Sequence, residues 1–334
     1  MIPGDIGREL GLRASGTWRP APPGVGGAPG TYATSLPFLV ARETGETPGD
    51  VAAGLAELLR RVAWIGAVSV TGGYLTVTVT GRALAALAVR VPAAGAGCAA
   101  SDALCGAELA APAADDLGWA ASWDEARQVV AGAVTGRLAE AAGATIKVQS
   151  HTERMPPPDQ AAPATAVAFA GADAIRYALV RTGPARRGPI DAVRCVQNDF
   201  GNPFFAVRYA HADAASVLRW ATDLGLDRGR PAEFRPELLT HPGELKLLDD
   251  ISWLPERTAS AARRRRPDAF ARYLERLAGA WLDCRESRPA LPFGGRAAPG
   301  DAAAAAARLW LAAAARTALG TGLGLLGVTA PWRL

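Results

Sequence analysis

The chain has 334 residues, a formal net charge of +4 and an apolar share of 49%, enough for two modest domains or one large one around a real core. Cys98, Cys105, Cys195 and Cys284 make no CxxC, and His151, His211 and His241 are scattered, which excludes a recognisable metal-ligand spacing. The apolar stretch near the C-terminus is interrupted by Arg308 and Arg316, leaving no uncharged run of membrane-spanning length. Isolated thiols and no leader-like N-terminus, with Asp5 and Glu9 in place of an apolar run, set the expectation of a cytoplasmic protein without metal, cofactor or membrane contact. Charge is unevenly spread. Residues 1–165 hold 12 basic and 15 acidic groups, net −3, and residues 166–334 hold 24 and 17, net +7, summing to +4. A basic half suits a polyanionic partner, although a solvated Arg-rich surface gives the same count.

Residues 14–30, rich in Pro, Gly and Ala, read as a loop. Thr47-Pro48 is a cap followed by a proline at the first helical position, with Val51, Leu55, Leu58, Leu59 and Val62 behind it at helical spacing. Val68-Ser69-Val70, a Thr71-Gly72-Gly73 turn and the alternating run Tyr74 to Thr80 predict a hairpin with Leu75, Val77 and Val79 on its buried face. A helix from Arg82 to about Arg90 then closes a small α/β unit. Residues 92–118 are Ala-, Gly- and Pro-rich and read as linker. A helix from Trp123 to Ala142 and a strand over Thr145–Gln149 follow, then a second linker at 155–165. From Asp173 onward the pattern is helical. Asn202-Pro203 starts one helix, with Phe204, Val207, His211, Ala214, Val217 and Leu218 on its apolar stripe. Arg208 and Arg219, eleven residues apart, share a face outside that stripe. Leu247, Ile251 and Leu254 mark another helix, Pro267 starts a third, and Asp301 to about Leu319 makes the last. Short connections imply an antiparallel bundle. The fold class expected is α+β: a small N-terminal α/β domain over 1–91, a short α/β segment over 92–165, and an all-α bundle over 166–334.

Several strings carry a family resemblance. Asp173-Ala174-Ile175-Arg176-Tyr177, the run Asn198 to Ala212 containing Asn202-Pro203 and Tyr209-Ala210-His211-Ala212, Arg272-Tyr273-Leu274, Leu326-Gly327-Val328 and the terminal Pro331-Trp332-Arg333-Leu334 resemble, in order and spacing, the DALR-type anticodon-binding domain of class I arginyl-tRNA synthetases. Gly30-Thr31-Tyr32-Ala33-Thr34 and Gly73-Tyr74-Leu75-Thr76 are similar to that family's appended N-terminal domain, which touches the tRNA D-loop. Thr76 stands where the family has Asn, and Val77 where an aromatic is usual. Gly136-Arg137-Leu138-Ala139-Glu140 resembles the helix after the family's H-x-G-H string, so residues 119–150 read as a remnant of a Rossmann-type core. Ser122-Trp123-Asp124-Glu125 lies near where the two histidines belong, and no K-M-S-K string is present.

The resemblance implies RNA contacts from aromatics that stack on unpaired bases, from Arg on phosphates and from polar groups on base edges. The residues it points to are Asn202, Phe205, Arg208, Tyr209, Arg219, Arg264 and Leu334, with Tyr74, Thr76 and Thr78 in the N-terminal domain. Each has a plainer alternative. Phe204, Phe205 and Tyr209 can be core, His211 a satisfied core histidine, and the arginines, Arg263–Arg266 included, solvated charges. Trp253, Trp310 and Trp332 read as packing residues. The adjacent pairs Asp124/Glu125 and Asp249/Asp250 point about 100° apart on a helix and do not converge on one substrate. The expected function is a non-catalytic, synthetase-like tRNA-binding protein. A module that holds a protein partner such as a synthetase is the alternative, and an active arginine-tRNA ligase the third reading.

Overall fold

The computed structural model describes residues 2–11, 18–20, 28–112, 117, 120–149, 162–291 and 301–334. The N-terminal elements are α1 (Ile2–Glu9), β1 (Trp18–Pro20), β2 (Thr31–Thr34), α2 (Leu36–Thr44), α3 (Pro48–Arg60), β3 (Ile65–Thr71), β4 (Tyr74–Val79), α4 (Gly81–Ala85) and α5 (Leu87–Ala94). The strands form an antiparallel sheet in the order β1-β2-β4-β3, with α2 and α3 packed against β3 and β4. Thr47 caps α3 by accepting a hydrogen bond from the Asp50 N–H at 3.2 Å. Gly72 and Gly73 both have positive φ, 56° and 82°, the backbone that a two-residue primed hairpin turn requires. Leu75, Val77 and Val79 are buried, so Tyr74, Thr76 and Thr78 occupy the other face. Two differences from expectation occur here. Part of the 14–30 loop, most of which lies outside the described residues, is edge strand β1. The single helix over 82–90 is two short ones, the first capped by Thr80.

Next come β5 (Glu108–Pro112), α6 (Trp123–Ala141) and β6 (Thr145–Gln149). β5 pairs with β6 in parallel, from Glu108 opposite Thr145 to Pro112 opposite Gln149, and α6 packs on both strands. Part of the expected linker over 92–118 is therefore strand. The reason is steric. A Cβ on Gly136 would stand 2.6 Å from the Ala111 Cβ, and one on Gly132 would stand 3.2 Å from Pro112 Cδ. The small residues that suggest a linker are what lets α6 lie flush on β5. The expected linker over 155–165 lies largely outside the described residues, and its end belongs to α7 (Ala162–Ala170).

The remainder is helical: α8 (Ala172–Thr182), α9 (Ala192–Cys195), α10 (Pro203–Asp223), α11 (Pro242–Ser252), α12 (Leu254–Arg263), α13 (Pro267–Ser287) and α14 (Asp301–Leu325). Two compact units divide the chain. One collects residues 1–94, 217–256 and 283–314, and the other 95–216, 257–282 and 315–334. In the first, α4 and α5 pack on α11, and the Gly30 N–H donates to Asp249 at 3.0 Å. The buried Tyr32 hydroxyl shares a 2.8 Å hydrogen bond with Ser252, its ring lying 5.1 Å from that of Trp253. Glu244, almost fully buried, accepts from Arg308 at 2.9 Å. Asp250 pairs with Lys246, so both members of the Asp249/Asp250 pair have structural partners. In the second unit, α14 runs to Leu325 rather than ending near Leu319. Its glycines are seated against neighbours: a Cβ on Gly322 would collide with the Leu274 side chain, and one on Gly320 would stand 3.1 Å from His211 Nε2. Packing there outweighs the low helix propensity of glycine. Gly327, at φ 72°, ends the helix in the left-handed cap. The Val328 N–H reaches the Leu323 carbonyl at 2.9 Å, and Arg137 donates to the Leu325 carbonyl at 3.1 Å.

Candidate nucleic-acid interface

The head of α10 is built by the loop before it. Asn202 is buried, and its amide nitrogen donates to the carbonyls of Cys195 at 3.1 Å and Gln197 at 2.8 Å. Its side-chain oxygen accepts the Phe204 N–H at 3.1 Å, while its own carbonyl takes the first helical bond, from Ala206. Pro203 has no N–H to satisfy at this position. Asn202, expected from sequence among the tRNA contacts, has a structural task here. Its amide is consumed inside the loop, where it fixes how α9, the loop and α10 meet.

That loop presents Phe200, which is 62% exposed. Its ring meets Tyr209 edge-on at 5.2 Å and Phe205 at 5.8 Å, and Phe205 and Tyr209 are 5.6 Å apart. Phe205 and Tyr209, four residues apart, share a helix face and are half-buried. Phe204 turns inward, buried against Tyr177 at 5.7 Å. Arg208 is half-buried with its guanidinium 4.9 Å over the Phe204 ring. Burial pushes the Arg208 guanidinium below its usual range, and Asp173 opposes this. Its Nε is buried without a hydrogen-bond partner among the described residues. Arg219 stands further along α10, also half-buried, beside the exposed Trp220.

The C-terminal tail is tied down at two points. His211, buried as a core histidine, donates from Nδ1 to the Pro331 carbonyl at 2.9 Å, which assigns the proton to Nδ1. Asp173 accepts the Thr329 N–H at 2.8 Å. Leu334 is 58% exposed. Trp332, expected to pack, is corrected: it is 63% exposed, with the Arg316 guanidinium 5.4 Å over its ring. Trp253 and Trp310 are buried as expected.

In comparisons with known proteins, the family described as the DALR anticodon binding domain matches residues 207–334. Residues 207–334 are similar to the DALR anticodon binding domain. An arginine–tRNA ligase of Clavibacter sepedonicus is 40% identical over 164 residues, 49% of this chain and 28% of that protein. One of Frankia alni is 41% identical over 164 residues, 49% of this chain and 29% of that protein. The matched half of the chain is the C-terminal part, and the chain spans less than a third of the length of these relatives. A solved Thermus thermophilus arginyl-tRNA synthetase superposes with a TM-score of 0.66 at 14% identity, over 99% of this chain and 98% of that one, a likeness of fold.

Tyr209, Arg208, Arg219, Arg264 and Leu334 lie within the DALR domain, and Phe200 and Phe205 just before it. Phe200 carries no spacing signal as a site residue, because it sits in a loop. Its proximity to the helix pair is decided by the fold. Arg264 is exposed in the turn after α12. Outside the DALR domain, Tyr74 is exposed against Phe38 at 4.9 Å, and Thr78 shares a 3.2 Å hydrogen bond with Thr31. Thr76 lies between them on β4, opposite Ala33 and Ser69. Asp124 and Glu125, placed by resemblance near two absent histidines, open α6. The Ser122 hydroxyl accepts the Glu125 N–H, and Glu125 accepts the Ala121 N–H at 2.9 Å. Asp124 pairs with Arg187 at 2.8 Å and Arg127 at 3.6 Å. These carboxylates are compensated by arginine and by the helix N-terminus. No helix among the described residues is long and apolar enough to cross a membrane, and no group of three or more His, Cys, Asp or Glu among them is disposed to hold a metal ion.

Proposed function

We propose that this chain binds tRNA through its C-terminal helical domain and does not itself attach an amino acid. The observation that carries the reading is the partly exposed trio Phe200, Phe205 and Tyr209 at the head of α10, adjoining a DALR anticodon binding domain in the basic half of the chain. Exposed rings supply stacking surfaces for unpaired bases. Support for the non-catalytic part lies within the chain. Only residues 92–165 separate the two modules, no H-x-G-H or K-M-S-K string occurs, and Asp124 and Glu125 are spent on starting α6. The roles of segments 1–91, 92–165 and 166–334 follow as N-terminal module, core remnant and RNA-binding module.

Filter binding of the folded protein to arginine and non-arginine tRNAs tests the first part. Binding that weakens with salt is expected, and none at low salt overturns it. An aminoacylation assay with ATP and arginine tests the second, where turnover overturns it. The exposed Val193 and Val196, a few residues before Phe200 in the chain, favour a second reading, a protein partner such as a synthetase. Co-purification that survives nuclease would select that reading.

A further inference from the structure

The turn between α12 and α13 is closed by Arg265 in the left-handed conformation, φ 50°, with the Arg266 N–H bonded back to the Ala261 carbonyl at 2.9 Å. Glycine is the ordinary occupant of such a cap, and an arginine there is strained. Beside the turn is a cavity of roughly 330 Å³, into which Arg257 and Arg264 project from the α12 side, Arg266 from the turn, and Arg272 and Arg276 from α13. Among the described residues that line it there is no Asp or Glu. Asp268, buried beneath, holds Arg266 through two hydrogen bonds of 2.8 Å and Arg272 at 2.5 Å, fixing two of the five forks. The Arg276 guanidinium rests 5.7 Å over the Tyr273 ring, which positions a third.

Five guanidiniums around one concavity repel one another, and a concave wall concentrates their field. Planar forks of N–H donors match phosphate oxygens, several at a time. We propose that this cavity is a binding site for clustered phosphates. In solution two sources carry that chemistry: successive backbone phosphates of a folded RNA, and a free oligophosphate. The RNA source rests on the proposed function above, and the site itself does not.

The test uses the full chain, yeast bulk tRNA and inorganic tripolyphosphate as probes, and the variants R264E/R276E and R264K/R276K. Both positions are exposed, and melting curves check that each variant folds. Wild type is expected to bind tripolyphosphate, with R264E/R276E at least about tenfold weaker and R264K/R276K in between, since Lys keeps the charge and loses the fork. If RNA is the natural source, tRNA affinity falls in the same order and its salt slope drops by about two. Tripolyphosphate binding that follows this order while tRNA binds no variant, wild type included, supports the site and sinks the tRNA reading. Wild type binding neither probe, or affinities for both unchanged in R264E/R276E, overturns the site. In the latter case tRNA binding survives, so the tRNA reading stands alone.

Discussion

At the scale of single residues, the aromatics at the head of α10 divide by burial. Phe204 is buried against Tyr177, whereas Phe200, Phe205 and Tyr209 form a cluster that reaches solvent. A ring that stacks on a base is worth about 1–3 kcal/mol by alanine substitution. Phe200→Ala and Tyr209→Ala are therefore expected to weaken tRNA binding about tenfold each while leaving the melting temperature nearly unchanged for exposed Phe200. Filter binding beside thermal melts checks this, and an F200A/Y209A double variant with wild-type affinity would remove the cluster from the interface. The half-buried helix pair was readable from four-residue spacing. Phe200 was not, because a loop residue has no periodicity to place it. Asn202 shows the converse. Its position before a proline identified a helix start, and the same cue could not tell a surface amide from one consumed by Cys195, Gln197 and Phe204.

Elements meet through small residues and a few charges, and both make sharp predictions. Gly322→Ala drives a methyl group into Leu274 and is expected to destabilise by about 1–3 kcal/mol, the range for overpacking. Gly324→Ala, with nothing within 4 Å of the added Cβ, is expected to be neutral or to stabilise by up to about 1 kcal/mol through helix propensity. Urea titration of the pair measures the difference, and equal effects would show that α14 is not seated on Leu274. In the α12–α13 turn, hydrogen bonds from Arg266, then those from Arg272, hold the Asp268 carboxyl at about 2 against an ordinary 3.8. A depressed carboxyl contributes stability that is present above about pH 4 and lost as pH falls toward 2. Asp268→Asn is expected to cost about 1–2 kcal/mol at neutral pH, discounted because Arg266 and Arg272 are about half exposed. Acid titration of the fold should lose that component in the variant. An unchanged acid midpoint would assign the stability elsewhere.

For the whole molecule, the excess of positive charge in residues 166–334, net +7 against −3 in residues 1–165, predicts that RNA affinity falls steeply with salt. The fall should be about 10³-fold or more between 50 and 200 mM if six or so phosphates are neutralised. Titration of a labelled tRNA across that range reads the slope, and a flat profile would contradict an electrostatic interface. The sequence alone determined the helix starts at Pro48, Pro203 and Pro267, the hairpin at Gly72-Gly73, the alternation of β4 and the DALR resemblance. These depend on local chemistry: a missing N–H, a positive φ, a period of two or of 3.6. The tertiary structure alone decided that an Ala- and Gly-rich stretch is strand β5, that α14 passes through its glycines, that Trp332 faces solvent and that five arginines surround one cavity. Each of these depends on what a distant segment brings into contact, and spacing along one chain does not encode that.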